Sequence, residues 1–456
     1  MKTIIEPFKI KMVEPIRMTT REQRVELIKS VGYNPFLLKS DDVLIDLLTD
    51  SGTSSMSDKQ WAAMMMGDEA YAGGRSFFDF ERVVKEITGY QYVIPTHQGR
   101  AAERILFSVV VNPGDVIPNN THFDTTRANI EHNKADPVDL VTADGSNPET
   151  DLPFKGNIDL DAVEKLLATT DHSKIPMGMI TVTNNASGGQ PVSMENIKAL
   201  SKLLHDNGIP LIFDACRFAE NAYFIKMREP GYAHKTIKEI AQEMFSYGDG
   251  ATMSCKKDAF ANMGGFLALN NTQWADKARA MLILTEGFPT YGGLSGRDLA
   301  AIAQGLEEIL DEDYMQYRIA STRYLGEHLV KAGVPIFNPP GGHAIYVDAR
   351  RLLPHIPAHQ FPGQALCVEM YVEGGIRAVE IGSVMFGKWG PDGSFRGARN
   401  ELVRLAIPRR VYTQSHVDFV VEAMGNLAQR KEEIRGFRFL YEAPVLRHFT
   451  STFERI

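Results

Sequence analysis

Short apolar runs alternate with amphipathic stretches through the middle of this chain. Met177–Thr183 (MGMITVT) is a run of the length and composition of one buried strand. Ser193 then stands as a helix N-cap, and Ile197, Leu200, Leu203 and Leu204 recur at the spacing of one helix face. Asn207-Gly208 is a residue pair that ends such a helix. Ile209–Asp214 (IPLIFD) reads as the next buried strand. Strand, helix and strand in this rhythm predict a βαβ unit in a parallel sheet, hence an α/β fold. Ligands of open parallel sheets sit beyond the carboxyl ends of the strands, and Asn185, Asp214 and Arg217 fall just past such ends.

The rhythm changes toward the C-terminus. Helical spacing over Tyr314–Ala332 stops at Gly333, and short strands follow around Ile336 and over Ala344–Val347. A helix over Gln364–Val372, a strand over Val403–Ile407 and a long closing helix over Ser415–Arg435 complete the pattern expected of a smaller α+β domain. At the other end, residues 1–20 lack periodicity and contain two Glu-Pro steps, which predicts an extended arm lying on another surface. The chain has 456 residues, more than one core usually supports. The expected division is an arm over 1–20, a large domain over 50–310, and a small domain made of 21–49 with 311–456.

Charge and composition remove several classes of partner. The formal net charge is −8, which argues against nucleic acid and anionic membrane surfaces. No apolar run approaches the roughly 20 residues of a membrane span, and the N-terminal stretch lacks a secretory apolar core. The three cysteines, Cys216, Cys255 and Cys367, are scattered and odd in number. They suit a reducing cytoplasm without a disulfide framework or a metal cluster.

The densest local chemistry is Ser254-Cys255-Lys256-Lys257-Asp258, flanked on both sides by small or apolar residues. Paired lysines are ordinarily solvated charge, but these flanks predict burial. Burial lowers a lysine pKa and frees its amine for Schiff-base chemistry. Asp214 ends an apolar strand, with Arg217 three residues on. Such an acid can be a simple cap; a buried acid facing a pyridine nitrogen is also what an electron-sink cofactor requires. Gln98-Gly99-Arg100 follows an apolar segment and opens a helix containing Glu103, so it reads either as a tight turn or as a phosphate cradle. No GxGxxG and no GxxxxGK[ST] string occurs, so dinucleotide and P-loop readings lose their main support. Phe123 could stack on a planar cofactor or simply pack. Tyr71, in a Gly-flanked polar loop, could act as a general acid or likewise only pack.

Taken together, these strings resemble the tryptophanase / tyrosine phenol-lyase family. The matching pieces are EPF (6–8), NPFLL (34–38), IDLLTDSGT (45–53), GDEAYAG (67–73), PTHQGR (95–100), GGQPVS (188–193), ENAYFIK (220–226), MSCKKD (253–258), YGGL (291–294), GGHA (341–344), RAVEIGS (377–383) and RLAIPRRVYT (404–413). They run from end to end of the chain in the family's order. The resemblance implies a fold-type I, aspartate aminotransferase-like enzyme with a mostly parallel sheet in the large, cofactor-binding domain. The cofactor implied is pyridoxal 5'-phosphate. Lys257 would hold it covalently and later move the substrate's α-proton. Asp214 would pair with the pyridine nitrogen, Arg217 with the ring oxygen, Phe123 with the ring face, and Asn185 would sit beside the ring oxygen. Gln98, Gly99, Arg100 and Ser254 would hold the phosphate. Arg404 would bind the substrate carboxylate, and Phe36, Asn185, Val379, Ile381 and His448 would line the substrate. Tyr71 would help the aromatic group leave. Gly52, Glu69 and Asn262 would form a monovalent-cation site, normally filled by potassium. The family is homotetrameric, with neighbouring subunits completing each site, which would explain the arm. Ala101 and Cys255 depart from the family pattern, where Gly and a smaller residue are expected; both bear on fine geometry.

Within the family, three positions favour tryptophan over tyrosine as the amino-acid substrate. Ile381 stands where the phenol-cleaving branch has arginine, so it offers no charge to a phenol oxygen. Asp124 stands in place of threonine and can accept from an indole N–H. His448 stands in place of phenylalanine. Loop length around Asn112–Asn120 points the other way, toward the phenol-lyases. The expected reaction is β-elimination of L-tryptophan to indole, pyruvate and ammonia, with tyrosine phenol-lyase chemistry as the alternative.

Overall fold

A computed structural model describes residues 4–456 of the chain. The chain divides into two compact units, one made of Ser51–Arg318 and the other of residues up to Asp50 with Ile319–Ile456. The division falls inside the helix Glu312–Lys331.

The Ser51–Arg318 unit is built on strands β1 (Tyr92–Thr96), β2 (Val116–Asn119), β3 (Asp136–Asp139), β4 (Gly178–Thr181), β5 (Leu211–Asp214), β6 (Gly250–Ser254) and β7 (Gly265–Leu269). Five of them form one sheet in the order β1-β7-β6-β5-β4. The pairs β4–β5 and β5–β6 are parallel, while β7 runs antiparallel to both β6 and β1. A separate parallel pair joins β2 to β3. Every residue of β4, β5, β6 and β7 is buried, as expected of strands covered on both faces.

Between β4 and β5 lies the helix Met194–Asp206. Ser193 caps it by accepting from Asn196 N, and Ile197, Leu200 and Leu204 are buried along one face. Gly208 follows at φ +72°, the left-handed conformation that glycine adopts at little cost. Two further helices matter for the site: α1 (Gly99–Val110), which follows β1, and α2 (Asp124–His132), which follows β2. Because β1, β2, β4, β5 and β6 each end at or shortly before a site candidate, the strands deliver Gln98, Phe123, Asn185, Asp214 and Lys257 from their carboxyl ends.

In the second unit, β8 (Ala344–Asp348), β9 (Val379–Ile381) and β10 (Leu402–Ala406) form an antiparallel sheet in the order β9-β10-β8. The short strand Ile45–Asp46 pairs in parallel with Ile376–Arg377. The helix Pro362–Gly374 is buried almost all round and forms the centre of this unit's core. The expected closing helix is shorter than its periodicity suggested and does not end the fold. It spans Gln414–Gln429, and the chain then forms an antiparallel pair, Phe437–Tyr441 with Thr452–Arg455. The buried stripe Val420, Ala423, Met424 and Leu427 would next fall on Lys431, so nothing apolar holds another turn. Phe437, Phe439 and Phe453 pack into the core instead. The residues from Ile4 to Thr20 carry no helix or strand, and Ile10, Met12, Val13 and Met18 stand exposed. Among the described residues no helix is long and apolar enough to cross a membrane.

Candidate active site

Asp214, Arg217, Lys257 and Gly99 meet the same small region of the first unit. Asp214 is the last residue of β5 and is buried. Its neighbour Ala215 donates to Thr252 O of β6 at 2.9 Å, so the ends of β5 and β6 are tied side by side. Lys257 lies in the turn that leaves β6, and both Asp214 and Lys257 act electrostatically on Cys216 and on Glu103. Burial, then the charge of Asp214, pushes the Cys216 thiol up, which leaves it inert. Arg217 is buried at the start of the helix Phe218–Arg228. That start is capped by Asp258, fully buried, whose Oδ2 accepts from Ala219 N at 2.9 Å. The acid of the Lys-Lys-Asp string therefore holds the Arg217 turn against the Lys257 turn. The sequence around Asp258 carries no sign of this task, which depends on a helix start 39 residues away.

Gly99 opens α1 directly against β6. A Cβ at Gly99 would fall 2.6 Å from Ser254 Cβ and 2.9 Å from its backbone. The side chain of its N-cap residue, Gln98, makes no capping hydrogen bond. Gln98 bridges to Gly264, whose N donates to His97 O at 2.8 Å. Arg100 is exposed, and burial followed by the positive charges of Lys257 and Arg100 lowers the Lys256 pKa. The result is a glycine-lined helix N-terminus with a hydroxyl and three cationic side chains around it, a donor set that fits a phosphate. Phe123, half-buried, precedes α2, and Asp124 is its buried first residue. Asn185 is buried beyond β4, beside Thr183 and Asn184, whose Oγ1 and Nδ2 find no hydrogen-bond partner among the described residues. A polar planar ligand with a phosphate and a cationic ring nitrogen matches these groups.

The expected cation ligands are only partly joined. Asn262 Nδ2 donates to Gly52 O at 3.1 Å, and Gly52 N donates to Lys256 O at 2.8 Å. Gly52 has φ +77°, and a Cβ there would fall 2.7 Å from Lys256 Cε. Glu69 instead makes an ion pair with Arg297 at the surface. Tyr71 is 73% exposed, its ring against Phe288 and Tyr291, and its hydrogen bond with Tyr291 raises its pKa.

The second unit gathers the remaining candidates. Val379 pairs with Arg404 and Ile381 with Leu402 across β9 and β10, so these side chains share one face. Val379 and Ile381 belong to an apolar cluster with Tyr346, against which Phe36 packs. Arg404 is buried on that face, and its Nη2 donates to Leu48 O at 3.1 Å. The His448 ring lies edge-on to Phe36 at 5.8 Å. Phe36, Val379 and His448 line one small cavity together with Glu380 and Cys367. The buried Glu380 carries no signal in sequence beyond its place in RAVEIGS; alternation alone would put it on the opposite face to its neighbours.

Comparison with known proteins bears on the family and the fold. The model of the β-eliminating lyase family matches residues 46–423. A tryptophanase of Salinibacter ruber is 60% identical over 99% of this chain and 95% of its own length. One of Hyphomonas neptunium is 58% identical over the whole of both chains. A tyrosine phenol-lyase of Symbiobacterium thermophilum is 52% identical over 99% and 98%. Among solved structures, the aspartate aminotransferase of Thermotoga maritima superposes with a TM-score of 0.60 at 14% identity, covering 90% of this chain and 95% of that one. That likeness shows the fold, an α/β aspartate aminotransferase-like architecture of the fold-type I class. Full-length identity, the family match and a lysine-bearing turn beside a buried strand-end acid converge: this chain belongs to the β-eliminating lyase family.

Proposed function

We propose that this protein eliminates the indole of L-tryptophan, yielding indole, pyruvate and ammonia, with pyridoxal 5'-phosphate as cofactor. The observation that carries the choice of substrate is Ile381. It lies buried in an apolar cluster with Val379 and against Phe36, and it brings no charge to a phenol oxygen. Support also comes from identity, at 57–60% to three tryptophanases against 50–52% to tyrosine phenol-lyases.

Pyridoxal phosphate, when bound, supplies an electron sink that draws carbanion charge from the substrate's Cα. The chain's own groups do the rest. The Lys257 amine holds the cofactor and moves the proton at Cα. The Asp214 carboxylate keeps a proton on the ring nitrogen, and Arg217 and Asn185 face the ring oxygen. Gln98, Gly99, Arg100 and Ser254 hold the phosphate, and Phe123 covers the ring face. Arg404 binds the substrate carboxylate through its two-pronged guanidinium. An aryl carbanion is a poor leaving group, so the ring carbon bearing the side chain must first gain a proton. Tyr71 gives that proton, and Asp124 accepts the indole N–H.

Tyr71 is exposed on its own chain, as are Met65, Met66 and the arm residues Met12 and Val13. An acid works best away from water, so these surfaces suit a homotetramer in which a neighbouring copy covers them. Completion by a neighbour also suits a potassium site made from Gly52, Asn262 and Glu69. The three cysteines are free thiols, as in a cytoplasmic enzyme. Incubating the protein with tryptophan and, separately, with tyrosine while assaying indole, phenol and pyruvate tests the proposal. Indole and pyruvate in equal amounts are expected; phenol release exceeding indole release overturns the choice of substrate.

A further inference from the structure

The mechanism above leaves one buried acid of the site unused. Glu103 stands on α1, one turn beyond the Gly99–Arg100 start, and is nearly inaccessible to water. Its two oxygens reach across to α2. Thr126 Oγ1 donates to Oε1 at 2.5 Å, and Thr125 Oγ1 donates to Oε2 at 3.3 Å. Those threonines directly follow Phe123 and Asp124, and Thr125 N donates to Asp124 Oδ1 at 2.6 Å. The carboxyl thus bridges the helix that opens at the phosphate cradle and the turn that presents the ring-stacking and indole-facing side chains.

The charged neighbours of Glu103 come from three elements: Asp214 at the end of β5, Asp124 on α2, and Lys257 after β6. Two acids and one base surround it in a poorly hydrated space. Negative charge nearby and exclusion of water both disfavour ionisation of the Glu103 carboxyl. Burial first, and then the charge of Asp214, indeed pushes the Glu103 carboxyl up to about 7.

We propose that Glu103 is a positioning residue of this site: its carboxyl clamps the Phe123–Asp124 turn onto the cofactor-cradling helix. The proposal rests on the pyridoxal-phosphate reading.

Glu103→Ala and Glu103→Gln separate its parts. The readouts are the dissociation constant for pyridoxal phosphate, titrated by visible absorbance, and the dependence of that absorbance on pH from about 6 to about 9. Glu103→Ala should bind the cofactor about tenfold more weakly, because two clamping hydrogen bonds are lost. Glu103→Gln, which keeps the shape of the acid, should recover most of that affinity. It should also lose an absorbance inflection near neutrality that the wild type shows. Glutamine as damaging as alanine, or an alanine variant with wild-type affinity and an unchanged pH curve, overturns the proposal. A wild-type chain that takes up no pyridoxal phosphate overturns the cofactor reading itself, which is a separate and recognisable failure.

Discussion

Replacing Glu380 by glutamine should make this protein less sensitive to alkali. Glu380 lies in β9, and Glu401 immediately precedes β10; both are buried. Their carboxyls close on Gly382, where a Cβ would fall 2.7 Å from Glu380 Oε1. Oε1 accepts from Val384 N at 3.0 Å, while Oε2 has no hydrogen-bond partner among the described residues. Glu401 is already committed to Ser383, accepting from its backbone N at 3.0 Å and from its hydroxyl. Burial, then repulsion from Glu401, pushes the Glu380 carboxyl from its ordinary 4.5 up to about 8.

The unfolded chain releases this proton near pH 4.5, whereas the fold keeps it to about pH 8. The folded state therefore binds more protons across that window. Its stability is greatest below 4.5 and declines as pH rises toward 8. At about 1.36 kcal/mol per pH unit, the full window corresponds to on the order of 5 kcal/mol. Sharing of the proton with Glu401, itself raised by burial, reduces what one substitution can recover to a few kcal/mol. Urea unfolding of wild type and Glu380→Gln at pH 5, 6.5 and 8 measures it. The two should be similar at the acidic end, and the variant should be the more stable at the alkaline end. Parallel stability curves would refute the reasoning, because they would mean that Glu380 titrates alike in both states.

Lys257→Ala should abolish pyruvate formation from tryptophan; retention of more than a few per cent of the wild-type rate would remove Lys257 from the chemistry. Tyr71→Phe should slow indole release by roughly 10²–10⁴-fold while exchange of the α-proton with solvent is far less affected. Equal slowing of both steps would show that Tyr71 is not the leaving-group acid. Gly99→Ala should weaken uptake of pyridoxal phosphate at least tenfold, since a methyl 2.9 Å from the Ser254 backbone forces α1 away from β6. Unchanged affinity in an absorbance titration would place the phosphate elsewhere.

Local pattern determined much about this molecule. Met177–Thr183, the helix after Ser193 and Ile209–Asp214 are legible because strand burial, helical spacing and caps are properties of neighbouring residues. The same locality places Asn185, Asp214 and Lys257 just past strand ends, and the long strings shared with β-eliminating lyases give those residues their expected tasks. Where the chain folds back on itself, pattern stops being informative. The turn from Gln429 into the pair Phe437–Tyr441 and Thr452–Arg455 depends on a core supplied partly by Phe361, a residue distant in sequence. Gly99 lying on Ser254, Asp258 capping the Arg217 helix and Glu103 reaching Thr125 and Thr126 are contacts between separate elements. An acid's charge state follows from how much water its neighbours exclude and which other charges they bring. Only the packed structure could therefore decide that the Glu103 and Glu380 carboxyls are pushed well above the usual carboxylate range.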